Sequence, residues 1–112
     1  MGKTFWFTTD TLGHGDDGLG HVLMRNLMYS LARAEQRPER LMFMNGGVRL
    51  ACVGSDCLDS IQLMSEAGTI VKSCGTCLDF LGLKDRLAVG EVGDMAGSAA
   101  VLTGGADVVT VA

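Results

Sequence analysis

Proline is nearly missing from this 112-residue chain: Pro38 stands alone. That excludes polyproline linkers and removes the later cis-proline that a thioredoxin-like dithiol fold usually sets against its cysteines. Aromatic residues are few, at 5%. No run approaches the ~20 consecutive apolar residues of a membrane helix. The opening Met1-Gly2-Lys3-Thr4-Phe5-Trp6-Phe7 lacks the long apolar centre of a signal peptide. Positive charge is also in deficit. Nine Lys+Arg against thirteen Asp+Glu leave a net charge of -4, which argues against a nucleic-acid partner. No serine sits in a nucleophile elbow, and no pair of acids has obvious acid/base spacing. These absences lead us to expect a cytoplasmic protein without a membrane or nucleic-acid partner.

What is present describes an ordered globular chain. Hydrophobic residues make up 47% and charged residues 20%, which excludes intrinsic disorder. The length fits a single domain over 1–112. Sixteen glycines imply many tight turns, without the period of a collagen. Seven methionines point to an adaptable core or a soft self-association surface. Four cysteines (Cys52, Cys57, Cys74, Cys77) without an export signal read as reduced thiols.

Along the chain, strand-like and helix-like patterns alternate. Lys3 to Thr9 reads as a strand, followed by a polar, glycine-rich loop from Asp10 to Gly18. Leu19, Val22, Leu23, Leu27 and Leu31 then recur at helical spacing up to Ala34. Leu41-Met42-Phe43-Met44 is a short apolar run of the kind buried on both faces, and Asn45-Gly46-Gly47 ends it with a turn. A second helix is predicted through Leu58, Ile61, Met64 and Ala67, with Gly68 as its terminating glycine. Thr69-Ile70-Val71 is a third strand. Thr76-Cys77-Leu78-Asp79 matches a capping box and predicts a helix start beside Cys74 and Cys77. Leu87-Ala88-Val89 is the fourth strand candidate, Asp94 to Leu102 a small-residue helix, and Asp107 to Val111 the last strand. Five strands alternating with helices predict an α/β domain with a mostly parallel sheet. Ligand chemistry in such sheets gathers at the carboxyl ends of the strands, here the loops 10–18, 45–49, 73–77 and 90–94.

Ser73-Cys74-Gly75-Thr76-Cys77 is the sharpest chemical signal. A thiol reacts as its thiolate, and with an ordinary pKa of about 8.5 only a small fraction is ionised at neutral pH. A helix dipole contributes roughly 0.3–1 kcal/mol, too little alone. Backbone N–H groups of Gly75 and Thr76 aimed at the sulfur are expected to add to it. The competing reading is a pair of buried structural cysteines. A dithiol oxidoreductase is a further alternative, although the pair follows the third strand rather than the first. Zinc would need Cys52-x4-Cys57 together with Cys74-x2-Cys77, and the first spacing is unsuited to a ribbon. No metal and no cofactor is expected.

Gly13-His14-Gly15-Asp16-Asp17-Gly18 fits a G-x-G-x-x-G pattern between a strand and a helix. Asp16 and Asp17 would repel a pyrophosphate, so a loop whose acids favour the next helix is the better reading. His14 reads as a solvated loop residue and His21 as a helix-surface one. Met24 and Met28 form a stripe one turn apart, the habit of core residues. Arg25, Arg33, Arg37 and Arg40 read as solvated.

Three segments carry a family likeness: Leu12 to Gly20, Phe43-Met44-Asn45-Gly46-Gly47-Val48, and Ser73-Cys74-Gly75-Thr76-Cys77-Leu78-Asp79-Phe80 with Val89-Gly90-Glu91-Val92 after it. Together they resemble the DsrE-like domain of the YedF family, sulfurtransferase-like proteins associated with selenium metabolism. The wider DsrE/DsrF and TusD group is similar in element order. The resemblance implies a three-layer α/β/α fold with a five-stranded parallel sheet. It also implies oligomers working in a relay, with sulfur carried as a persulfide on a cysteine after the third strand. In those relatives the active cysteine precedes a helix that ends in glycine, which Cys74 and Gly82 match. Cys74 is therefore the implied carrier and Cys77 a resolving or assisting thiol. Gly75 and Thr76 would hold the anionic sulfur, and Asn45, Gly46 and Gly47 would line the neighbouring loop. Sulfur-donor and sulfur-acceptor proteins are the implied partners. Asp94-Met95 departs from the family's usual Asn-Met, and the TusA-type domain with its Cys-Pro motif has no counterpart in these residues.

Overall fold

The computed structural model describes residues 2–112. Its strands are β1 (Thr4–Phe7), β2 (Arg40–Phe43), β3 (Ile70–Cys74), β4 (Glu91–Gly93) and β5 (Val108–Val111). They form one sheet in the order β4-β3-β2-β1-β5, and every pair is parallel. Parallel neighbours cannot be joined by hairpins, so each connection crosses over the sheet. The crossovers hold α1 (Asp17–Arg33), α2 (Leu58–Glu66), α3 (Gly75–Phe80) and α4 (Met95–Thr103). Two 3₁₀ segments, Asn45–Ala51 and Lys84–Arg86, complete the chain. The α/β class and the five-stranded parallel sheet are as the sequence implied.

Helices α1 and α2 pack on one face of the sheet and on each other. There Phe7, Leu41, Phe43, Val71 and Val111 meet Met24, Met28, Ile61 and Met64 in the main core. Phe7 and Phe43 stack with ring centroids 5.3 Å apart. Helix α4 has a different task. It joins the two outer strands, β4 and β5, so the chain must cross the back of β3, β2 and β1. Four strand spacings are roughly 19 Å. Nine helical residues cover roughly 14 Å, and Gly104-Gly105-Ala106 supplies the remainder.

Three expectations change on contact with the structure. The first helix begins at Asp17 and buries Gly20, Met24, Met28 and Ala32, not the face of Leu19, Val22 and Leu23. Leu19 is 56% exposed. The reason is close approach: a Cβ at position 20 would press on the Thr11 side chain, so only glycine lets this face come down. The fourth strand is Glu91–Gly93 rather than 87–89. Leu87 instead makes an isolated antiparallel bridge to Cys52. Gly90 turns the chain between the two, with φ of 81°, tight against Val71. The helix after β3 starts two residues earlier than the Thr76 capping box predicts, at Gly75 with Cys74 as its N-cap.

Candidate functional site

Strand β3 passes into α3 with no loop between them. Cys74 ends the strand and is also the N-cap residue of the helix. Its Sγ accepts the backbone N–H of Cys77 at 3.4 Å. An N-cap side chain serves the donors two and three residues into the helix, which places Cys77 N–H on the sulfur. The hydrogen bond expected from Gly75 and Thr76 therefore comes from Cys77. Gly75 has a steric duty instead: a Cβ there would lie 3.0 Å from the Val92 side chain and 3.2 Å from the Gly93 carbonyl oxygen. Thr76 faces outward and is exposed.

The second sulfur is anchored from another strand end. Asn45 follows β2 and donates its backbone N–H to Cys77 Sγ at 3.1 Å. Asn45 is the one described non-glycine residue with positive φ, 51°, a conformation asparagine tolerates better than most residues. Gly46 and Gly47 fix the turn from below. A Cβ on Gly47 would collide with the Phe7 carbonyl, and Gly46 rests beside Thr9 and Asp10. The chain ends of β1, β2 and β3 thus converge, and the turn 45–47 reaches Cys77 directly.

Burial differs between the two thiols. Cys74 is 6% exposed, less open than a carrier read from the sequence suggests, while Cys77 is half-buried. Burial pushes the Cys77 thiol above the ordinary cysteine range. Its hydrogen bond to the Cys74 sulfur pushes in the same direction, and the Asn45 N–H pulls the other way. A raised pKa keeps the Cys77 proton in place, available to the sulfur of Cys74. All four cysteines are free. Next to them Ser73 is buried with a hydroxyl that has no hydrogen-bond partner. It lies within the cysteine motif, but no role for it was legible in the sequence.

Cys52 and Cys57 lie apart from this pair. Both are buried, and burial raises both thiols. Cys52 donates to the Val48 carbonyl at 3.2 Å. Among the described residues no three His, Cys, Asp or Glu side chains gather as a metal site. In the glycine-rich loop, the Asp16 carboxylate accepts the Leu19 N–H at 2.8 Å and occupies the start of α1 where a pyrophosphate would sit. His14 and His21 are exposed. No described helix is long and apolar enough to cross a membrane.

The fold is DsrE/DsrF-like. The crystal structure of the ychN protein from E. coli matches with a TM-score of 0.69 and 22% identity, covering 98% of this chain and 99% of that one. MTH1491, a protein of unknown function from Methanobacterium thermoautotrophicum, matches with a TM-score of 0.64 and 18% identity, covering 96% of each chain. No protein-family model matches the chain, and no curated protein matches it.

Proposed function

We propose that this protein carries sulfur, or selenium, on Cys74 as a persulfide or perselenide, with Cys77 as the assisting thiol. One observation carries the reading: two thiols and two backbone N–H donors meet where β3 becomes α3, at the carboxyl edge of a parallel sheet. The DsrE/DsrF-like fold and the YedF-like segments around Asn45 and Cys74 support it. In the loading step the Cys74 thiolate attacks the outer sulfur of a donor persulfide. The donor S–S bond breaks, its thiolate leaves, and Cys74 holds the persulfide; nothing is oxidised or reduced overall. An acceptor thiolate then attacks that same outer sulfur, and Cys74 departs as thiolate. The Cys77 N–H and S–H stabilise the Cys74 sulfur whenever it is anionic. Sulfur-donor and sulfur-acceptor proteins are the partners, and a second copy of the chain is another.

A dithiol–disulfide role is the second reading, favoured by two free thiols at one helix start, where the Cys77 N–H reaches the Cys74 sulfur. In it the Cys77 thiolate attacks the inner sulfur of the Cys74 persulfide, hydrosulfide leaves, and a Cys74–Cys77 disulfide forms. Intact-mass analysis after incubation with a persulfide-bearing cysteine desulfurase separates these outcomes. The carrier role requires gain of one sulfur atom by wild type and by Cys77→Ser, and none by Cys74→Ser. Loading of Cys74→Ser but not Cys77→Ser overturns the assignment to Cys74. Hydrosulfide release with loss of two hydrogens identifies the disulfide route.

A further inference from the structure

On the α1 side of the sheet a cavity of about 320 Å³ opens between α1, the 3₁₀ turn after β2 and the segment 52–57. It contains none of Cys74, Cys77 or Asn45, so it is separate from the thiol pair. Met24, Leu50, Cys52 and Cys57 lie buried beneath it, and Val53 and Leu83 present the apolar surface that reaches the opening. Its rim is charged. Arg25 comes from α1 and Arg49 from the 3₁₀ turn; Asp10 follows β1 and Asp56 precedes α2.

The charges on this rim have no partners. Four ion pairs exist among the described residues, and none includes Arg25, Arg49, Asp10 or Asp56. None of these four side chains makes a hydrogen bond to another described residue. Two guanidiniums and two carboxylates therefore share one opening without neutralising each other. Unpaired arginines are suited to a carboxylate, which they bind in a two-pronged fashion. Unpaired carboxylates are suited to an ammonium group. An apolar floor is suited to a hydrocarbon side chain, and the volume lies at the small end of ligand cavities.

We infer that this cavity is a binding site for a small zwitterion, an apolar α-amino acid. Its carboxylate meets Arg25 and Arg49, its ammonium meets Asp10 and Asp56, and its side chain lies on Val53 and Leu83. A simple anion uses only half of the rim, and the acids oppose it. The Cys52 and Cys57 thiols, held neutral by burial, belong to the floor and take no chemical part.

Backbone amide NMR of the full chain tests this with leucine, isocaproate and isopentylamine as probes. Isocaproate lacks the ammonium group and isopentylamine lacks the carboxylate. Leucine is expected to shift the amides of residues 21–25 and 49–57 saturably, with each truncated probe weaker by about tenfold or more. Arg25→Gln and Asp56→Asn are expected to weaken leucine by a similar factor. Both positions are exposed, so the unchanged remainder of the spectrum reports that each variant is folded. Isocaproate binding as well as leucine overturns the assignment, because the acids would then contribute nothing. Leucine shifts that are absent, or scattered and non-saturating, overturn the site itself.

Discussion

The backbone N–H of Asn45 donates to the sulfur of Cys77 across 3.1 Å, and Asn45 does so from a left-handed conformation with φ of 51°. The turn after one strand thereby sets the electrostatics of a thiol after another. Asn45→Gly keeps both the conformation and the N–H, so Cys77 should behave as in wild type. Asn45→Val places a β-branched side chain where it costs about 1–3 kcal/mol, and the turn should relax away from Cys77. The Asn45 N–H lowers the Cys77 pKa, so its loss should raise the midpoint of Cys77 alkylation still further. Mass-resolved iodoacetamide rates against pH read this directly. An unchanged Cys77 profile in Asn45→Val refutes the coupling.

The Cys77 thiol titrates above an ordinary cysteine because of burial first and its Cys74 hydrogen bond second. Wild-type Cys77 should therefore alkylate slowly at neutral pH and accelerate only at a pH above that of an unstructured cysteine peptide. Cys74→Ala removes the second cause and leaves the first. The midpoint should fall in that variant yet stay above the peptide value. A midpoint that rises, or one below the peptide, contradicts this account of the pair.

Gly47 holds the base of the same turn against β1. Its Cβ position is occupied by the Phe7 carbonyl, whose oxygen accepts the Met44 N–H at 3.0 Å. Gly47→Ala must displace backbone rather than a side-chain tip. A loss of about 3 kcal/mol is expected by analogy with overpacked cores, together with weakened Asn45–Cys77 contact. Gly105→Ala is the control, since nothing lies within 4 Å of a Cβ there. Urea denaturation of the two variants tests the difference.

The first helix shows how much of this molecule was legible in sequence. Helical periodicity located α1, and the Met24/Met28 stripe is core as its spacing implies, at 1% and 0% exposed, but Leu19, Val22 and Leu23 are exposed. Hydrophobicity ranks leucine at least level with methionine; the deciding factor is Gly20, whose missing side chain admits Thr11. That is a tertiary contact, and no window of sequence contains it. The alternation of strands and helices implied the parallel sheet, and the predicted loops 10–18 and 45–49 do follow strands, whereas 90–94 holds β4 itself and the strand order comes from the structure. Cys74 and Cys77 stood out because a glycine-rich dithiol at a strand end is unusual, whereas Ser73 is an ordinary strand residue until its hydroxyl is found buried and unpaired. Strand β4 escaped because Glu91-Val92-Gly93 is short, sits at an edge and has an exposed valine. Accordingly, Met24→Ala or Met28→Ala should cost about 2–5 kcal/mol, and Leu19→Ala under about 0.5 kcal/mol. Equal losses at Leu19 and Met24 would restore the leucine face.

Helix α4 is mostly small and apolar apart from Ser98 and Thr103, carries no charged residue and buries none of its own side chains. A helix of that kind is ordinarily enclosed. Met95 at its start is 58% exposed, and Val92 of β4 and Ile70 of β3 are 50% and 43% exposed. The patch lies next to the edge strand β4, which offers unpaired backbone groups as well. A second copy of the chain should cover this patch. Sedimentation velocity at micromolar concentration should give a mass above that of one 11.8 kDa chain. Ala99→Glu puts a charge on the exposed helix without touching the main core, and should return the protein to a folded monomer. Leu63→Glu, on the exposed side of α2, should leave the assembly intact. A wild-type monomer, or dissociation by Leu63→Glu and not by Ala99→Glu, would place any association elsewhere and leave α4 open to solvent.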